Sequence, residues 1–239
     1  MKVVVINGSP RKGNTYAATQ IFKNEMSARG NVEFAEFFLP QALPEFCSGC
    51  MLCLEKDEKS CPHSEYTLPI LDEIIRADAL IFTTPVYVLQ TTGAVKAFLD
   101  HFAWMFIVHR ARPEMFRKKA FVLSTTAGAG TRAAMKTIIT NLKFWGVNRI
   151  YSFGFSLFES EIERMNSKRR AKVETKIKRR AKRFYREIAL GKKRSAYLFM
   201  RFMFYVRRGM LKKDEKTFSN ESADVKYWHE QNWSKKTPF

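Results

Sequence analysis

The strongest constraint on this chain stands at its start. An unbroken apolar run, Val3-Val4-Val5-Ile6, passes into Gly8-Ser9-Pro10-Arg11-Lys12-Gly13-Asn14-Thr15, and a helix-period segment follows. A run that is apolar at every position reads as a strand buried on both faces, the condition of a parallel sheet covered by helices. Backbone N–H groups and the positive end of the helix then converge on the connecting loop, which suits a phosphate. Ser9, Asn14 and Thr15 add side-chain donors, Arg11 adds charge, and Gly13 lets the backbone bend close to an anion. The loop lacks the Gly-Lys-Ser/Thr ending of a nucleoside-triphosphate loop and the third glycine of a dinucleotide fingerprint. A monophosphate fits it better than ATP or NAD. The bland alternative is a capped helix preceded by a tight glycine turn.

The same alternation continues along the chain. Strands are expected at Lys2–Ile6, Val32–Phe38, Ala79–Thr83, Ala120–Ser124 and Val147–Ser152, and helices at Thr15–Arg29, Thr67–Ala77, Thr92–Trp104 and Arg132–Trp145. With right-handed crossovers, this order suits either a flavodoxin-like or a Rossmann sheet. A hydrophobic share of 46% over 239 residues is enough for one core of ordinary size plus an extension. We divide the chain into residues 1–158, the α/β domain, and 159–239, a basic, aromatic-rich helical extension expected to pack on the core or on a second subunit. Residues 1–160 carry 18 Lys and Arg against 14 Asp and Glu, whereas residues 161–239 carry 24 against 9, so the net charge of +19 belongs mostly to the extension. There, Val173, Ile177, Phe184 and Ile188 keep one apolar stripe on a basic helix that Gly191-Lys192-Lys193-Arg194 ends. A second segment, Tyr197 to Leu211, is dense in Phe, Met and Tyr, and Trp228 and Trp233 also call for burial. No apolar run is long enough to span a bilayer, and no export signal precedes the first strand.

These landmarks resemble the NADPH-dependent FMN reductase branch of the flavodoxin-like superfamily, whose Gly-Ser-Pro-Arg loop holds the FMN phosphate. The segment Thr84-Pro85-Val86-Tyr87-Val88, followed by Thr92 to Asp100, is similar to that family's second flavin loop and dimer-forming helix. Thr125-Thr126-Ala127-Gly128-Ala129-Gly130-Thr131 is similar to its third loop, which lines the flavin ring. The resemblance spans about residues 2–155. It implies a doubly wound five-stranded parallel sheet of order 2-1-3-4-5 with helices on both faces. It also implies FMN on Ser9, Arg11, Gly13, Asn14, Thr15, Pro85, Val86, Tyr87, Val88, Thr126, Gly128, Ala129 and Gly130, NAD(P)H as co-substrate, and a homodimer. Physically, Pro85, Val86 and Tyr87 offer an apolar and aromatic edge to a flat ring, and Gly128 and Gly130 let backbone N–H groups approach its polar edge. No side chain stands out as an obligatory catalytic acid or base.

Cys47, Cys50, Cys53 and Cys61 lie within fifteen residues, in the order Cys-x-x-Cys-x-x-Cys-x(7)-Cys-Pro. In a chain without a secretion signal this favours a metal or redox site and a reducing cytoplasm. The motif resembles the compact one of iron–sulfur flavoproteins, which implies a 4Fe-4S cluster; zinc and unligated redox-active thiols are the other readings. His63, beside Cys61, reads as a spare ligand or a solvated loop residue. His109 and Arg110 read first as structural and second as groups orienting NAD(P)H or substrate. The basic extension reads as a solvated face with an apolar stripe on the core, then as an anionic-membrane attachment; nucleic acid has no recognised module here. The expected function is an NAD(P)H oxidoreductase that passes electrons through FMN to an acceptor such as a quinone, a flavin, an aromatic compound or an iron–sulfur centre. The rivals are an electron carrier between proteins and a non-redox binding protein.

Overall fold

A computed structural model describes residues 1–158, 164–191, 198–217 and 222–239. The expected turn at Lys192–Arg194 and the expected segment start at Tyr197 lie outside these residues. Five strands, β1 (Lys2–Asn7), β2 (Glu33–Phe38), β3 (Ala79–Pro85), β4 (Lys119–Thr126) and β5 (Arg149–Ser156), form one sheet in the order β2-β1-β3-β4-β5. Every pairing is parallel. The chain order reverses at β1, between β2 and β3, and such a switch point opens a crevice at the strands' C-terminal ends.

Successive strand side chains point to opposite faces, and both faces are dry. Val4, Ile6, Leu80, Phe82, Ala120 and Val122 pack beneath α3 (Ser64–Arg76), α4 (Gly93–His101) and α5 (Thr131–Phe144). Val3, Val5, Ile81, Phe121 and Leu123 face α1 (Asn14–Ser27) and α6 (Ser167–Ala189). Between β2 and α3 runs the cysteine loop, with a single helical turn, α2 (Leu52–Glu55). The expected helix to Trp104 stops at His101, and Ala103–Met105 tightens into a 3-10 turn that buries Trp104 and Met105.

On α6, Val173, Ile177, Ala181, Phe184 and Ile188 are buried against Ala18, Phe22 and Met26 of α1, so the basic helix docks by its one apolar stripe. The last two helices, α7 (Leu198–Thr217) and α8 (Ala223–Glu230), build a separate cluster in which Met200, Phe204, Trp228 and Trp233 close over Ile107, Ala111 and Phe116. Among the described residues, no helix is long and apolar enough to cross a membrane.

Candidate functional site

Three loops leave the C-terminal ends of β1, β3 and β4, and side-chain hydroxyls tie them together. Gly8 N–H donates to the Thr83 carbonyl at 2.7 Å, and Thr92 Oγ1 donates to the Gly8 carbonyl at 2.7 Å while capping α4 through Val95 N–H. A Cβ on Gly8 would stand 2.5 Å from the Thr83 carbonyl oxygen, so only glycine lets the first loop lie this close to β3. Thr15, buried at the start of α1, pairs its Oγ1 with that of Thr125 at 2.6 Å and so joins the first loop to the third. Val86 N–H donates to the Thr125 carbonyl at 3.0 Å, which joins the second loop to the third. Thr84 Oγ1 lies 3.1 Å from Thr91 Oγ1 and braces the second loop from within.

Around this frame, Ser9 is nearly buried and its Oγ accepts the Arg11 N–H at 3.2 Å, while Arg11, Lys12 and Gly13 are exposed. Helix α1 starts on Gly13 without a side-chain cap and carries no acidic residue in its first turn. The positive helix end therefore meets two cations, Arg11 and Lys12, with no carboxylate of that turn to neutralise it. In the third loop, Thr126 Oγ1 donates to the Ala129 carbonyl at 2.8 Å and accepts Gly128 N–H at 3.3 Å. Gly130 begins α5 at φ 100°, where a Cβ would press on Val86 Cγ1 at 2.8 Å. In the second loop, Tyr87 and Gln90 exchange two backbone hydrogen bonds of 3.0 Å around Val88 and Leu89, which are 96% and 62% exposed. The residues expected for FMN thus stand together at one sheet edge. Thr15 stands with them and also braces the frame through its pairing with Thr125. Open space where a Cβ would stand at Gly13 and Gly128 suits a ligand's close approach, so these residues fit an FMN phosphate and ring.

The cysteine loop makes a second site. Cys47, Cys50, Cys53 and Cys61 line one cavity of about 60 Å³ together with His63, Asp100 and His101. Burial, then the other three thiols, raises the Cys53 pKa, and the Arg110 guanidinium opposes them. Burial raises Cys61 as well, against the His63 N–H that its sulfur accepts. Four thiols lining one small cavity are the kind of donor set a 4Fe-4S cluster takes, while the ligand atoms that stand within 4.8 Å of one another among the described residues are those of Cys61, His63 and His101. His63 is no merely solvated residue: its Nδ1 lies 2.8 Å from His101 Nε2, whose own Nδ1 lies 2.8 Å from the Ala97 carbonyl oxygen. If His101 Nδ1–H donates to that carbonyl, His63 is the donor between the rings.

Arg110, whose side chain is only 5% exposed, donates to the carbonyls of Leu54, at 3.2 Å, and of Cys53, and pairs with Asp224 of α8. Asp224 also takes His109 Nδ1 at 2.6 Å. His109 and Arg110 are therefore anchors between the extension and the cysteine loop. Thr84, Thr92 and Thr125 lie inside the expected loop segments, but their bracing roles, like that of Asp224, were not expected, because a partner distant in the chain leaves no local pattern.

The sequence matches the family "NADPH-dependent FMN reductase" over residues 1–156. The chain belongs to this family. As a member it is an FMN-dependent oxidoreductase. An iron–sulfur flavoprotein of Archaeoglobus fulgidus is 28% identical over 180 residues, covering 74% of this chain and 79% of that protein. One of Methanocaldococcus jannaschii is 29% identical, covering 58% and 69%. The fold is shared with an NAD(P)H:quinone oxidoreductase of Methanothermobacter marburgensis, at a TM-score of 0.62 and 16% identity over 82% of this chain and 99% of that one.

Proposed function

We propose that this family member takes electrons from NAD(P)H and delivers them, by way of FMN, to a separate acceptor. The observation that carries the reading is the α1 start, without a side-chain cap, set among three hydroxyl-linked loops at the switch point of the sheet. FMN supplies acceptance of a hydride and its release as single electrons. The chain's residues bind and orient. Ser9, Arg11, Gly13 and Asn14 hold the phosphate, with Thr15 bracing the loop. Pro85, Val86, Tyr87 and Val88 provide the apolar edge, and Thr126, Gly128, Ala129 and Gly130 present backbone polar groups to the ring. We also assign a homodimer and a cytoplasmic location to this reading.

A second reading rests on the cysteine cavity. Cys47, Cys50, Cys53 and Cys61 would hold a 4Fe-4S cluster, and the protein would act as a one-electron carrier between protein partners, in line with the names of its relatives. Anaerobically purified protein separates the two. Bleaching of the flavin band by NADPH or NADH within seconds supports the reductase, whereas indifference to both and reduction by a ferredoxin supports the carrier. Iron and sulfide in equal amounts, lost in Cys53→Ser and Cys61→Ser, support the cluster. Protein that takes up no FMN on titration overturns both readings.

A further inference from the structure

Helix α7 has two apolar faces, and among the described residues one is buried while the other is largely exposed. Met200, Phe204 and Leu211 point into the cluster they share with α8 and are at most 2% exposed. Leu198, Phe199, Phe202, Tyr205, Val206 and Met210 recur at helical spacing along the opposite side and are 37% to 83% exposed. Among the described residues, Phe144 is in ring contact with Phe199 at 5.3 Å, but the remainder of this stripe stays at the surface. Single exposed apolar residues need no explanation, but six on one helix face mark a surface built for something apolar.

The charge around the stripe narrows the occupant. Between residues 188 and 213 the sequence has eight Lys and Arg and no Asp or Glu. Exposed Arg201 stands beside the stripe, and Lys213 is exposed at its end. Arg208 on the same flank is held in place by donating to the Trp233 carbonyl at 2.8 Å, with its guanidinium 5.3 Å from the Tyr205 ring centroid. A second copy of the chain is a poor occupant. Two-fold pairing through this face would set Arg201 and Arg208 near their own counterparts, between bodies that each carry a net charge of +19. Large rings, an apolar stripe about 18 Å long at helical rise from Leu198 to Met210, and basic residues along its border are what an anionic lipid surface accepts.

We infer that α7 docks this protein on an anionic membrane surface, lying in the interface plane with Phe202 and Val206 at the boundary between headgroups and acyl chains and Arg201 at the headgroups. The helix lies on the bilayer and does not cross it, in keeping with its interrupting charges. The idea is independent of which electron donor or acceptor the flavin site uses.

Co-sedimentation of the full chain with phosphatidylcholine vesicles, with and without phosphatidylglycerol, tests it. The expected result is binding only where phosphatidylglycerol is present, weakening as salt screens the charges. Phe202→Glu with Val206→Glu should lower binding at least tenfold while circular dichroism and FMN content stay unchanged. Arg201→Glu should lower it by about fivefold or more, and Lys176→Glu, an equal charge change on α6, by clearly less. Absence of binding to anionic vesicles overturns the inference, as does an equal loss in Lys176→Glu, which would reduce the effect to net charge. A drop in solution mass on Phe202→Glu, read by light scattering, also overturns it, since the face would then be a subunit interface.

Discussion

Val88 and Leu89 form the tip of the second loop with φ of 47° and 62°, left-handed values that a β-branched residue rarely takes. Two consecutive positive φ angles in a two-residue turn are what Asn-Gly satisfies without strain. Here the turn instead keeps two apolar side chains exposed at the edge of the flavin-loop frame. Strain retained at a site commonly accompanies a role there. Replacing the pair by Val88→Asn with Leu89→Gly should relieve roughly 1 kcal/mol or more and raise the apoprotein's Tm by about 2–4 °C. The same change should weaken FMN binding, because the apolar edge is lost and the loop is freer. Thermal melts and a fluorescence titration with FMN check both signs together, and a lower Tm would show the turn to be relaxed as it stands.

At the scale of elements, the cysteine loop is held from outside by Arg110, itself held by Asp224 more than a hundred residues later. The Arg110 guanidinium favours the Cys53 thiolate against burial and three neighbouring sulfurs. In metal-free protein, Arg110→Met should therefore move the pH profile of Cys53 alkylation upward and slow the reaction at neutral pH, read per thiol by mass spectrometry. Asp224→Asn should destabilise the fold by about 3 kcal/mol or more, since it leaves a buried guanidinium without its counter-charge. Lys118 closes another junction, donating to the carbonyls of Ile75, at 2.8 Å, and Ala77 where α3 ends. Burial lowers its pKa from 10.5 to about 8, against the pull of Glu114 and Asp78. The unfolded chain then holds this proton more tightly than the folded one, so the lysine's contribution to stability rises as pH climbs from about 8 towards 10.5. Lys118→Met should flatten that rise in urea unfolding curves measured across the window.

Across the whole molecule, α6 completes the layer that α1 begins, and Phe184 sits at the seam with ring centroids 6.0 Å from Phe22 and 5.6 Å from Phe121. Phe184→Ala should cost about 3–5 kcal/mol, and a single transition in the melt would show the basic helix folding as part of the sheet's core. Local sequence was enough for much of this protein. The apolar run before Gly8, the glycines of the third loop and the spacing of the cysteines are contiguous signals, because a strand end, a turn and a compact ligand loop are each made by neighbours in the chain. The sheet order was implied by the family resemblance that these signals carry, and the sheet has that order. Tertiary structure alone decided what neighbours cannot encode: that the Thr15 hydroxyl pairs with Thr125, that Thr92 reaches back to Gly8, and that Asp224 secures Arg110 against the cysteine loop. It also decided which side of α7 the core takes, since both sides are apolar and only packing against Ile107 and Phe116 could leave the other exposed.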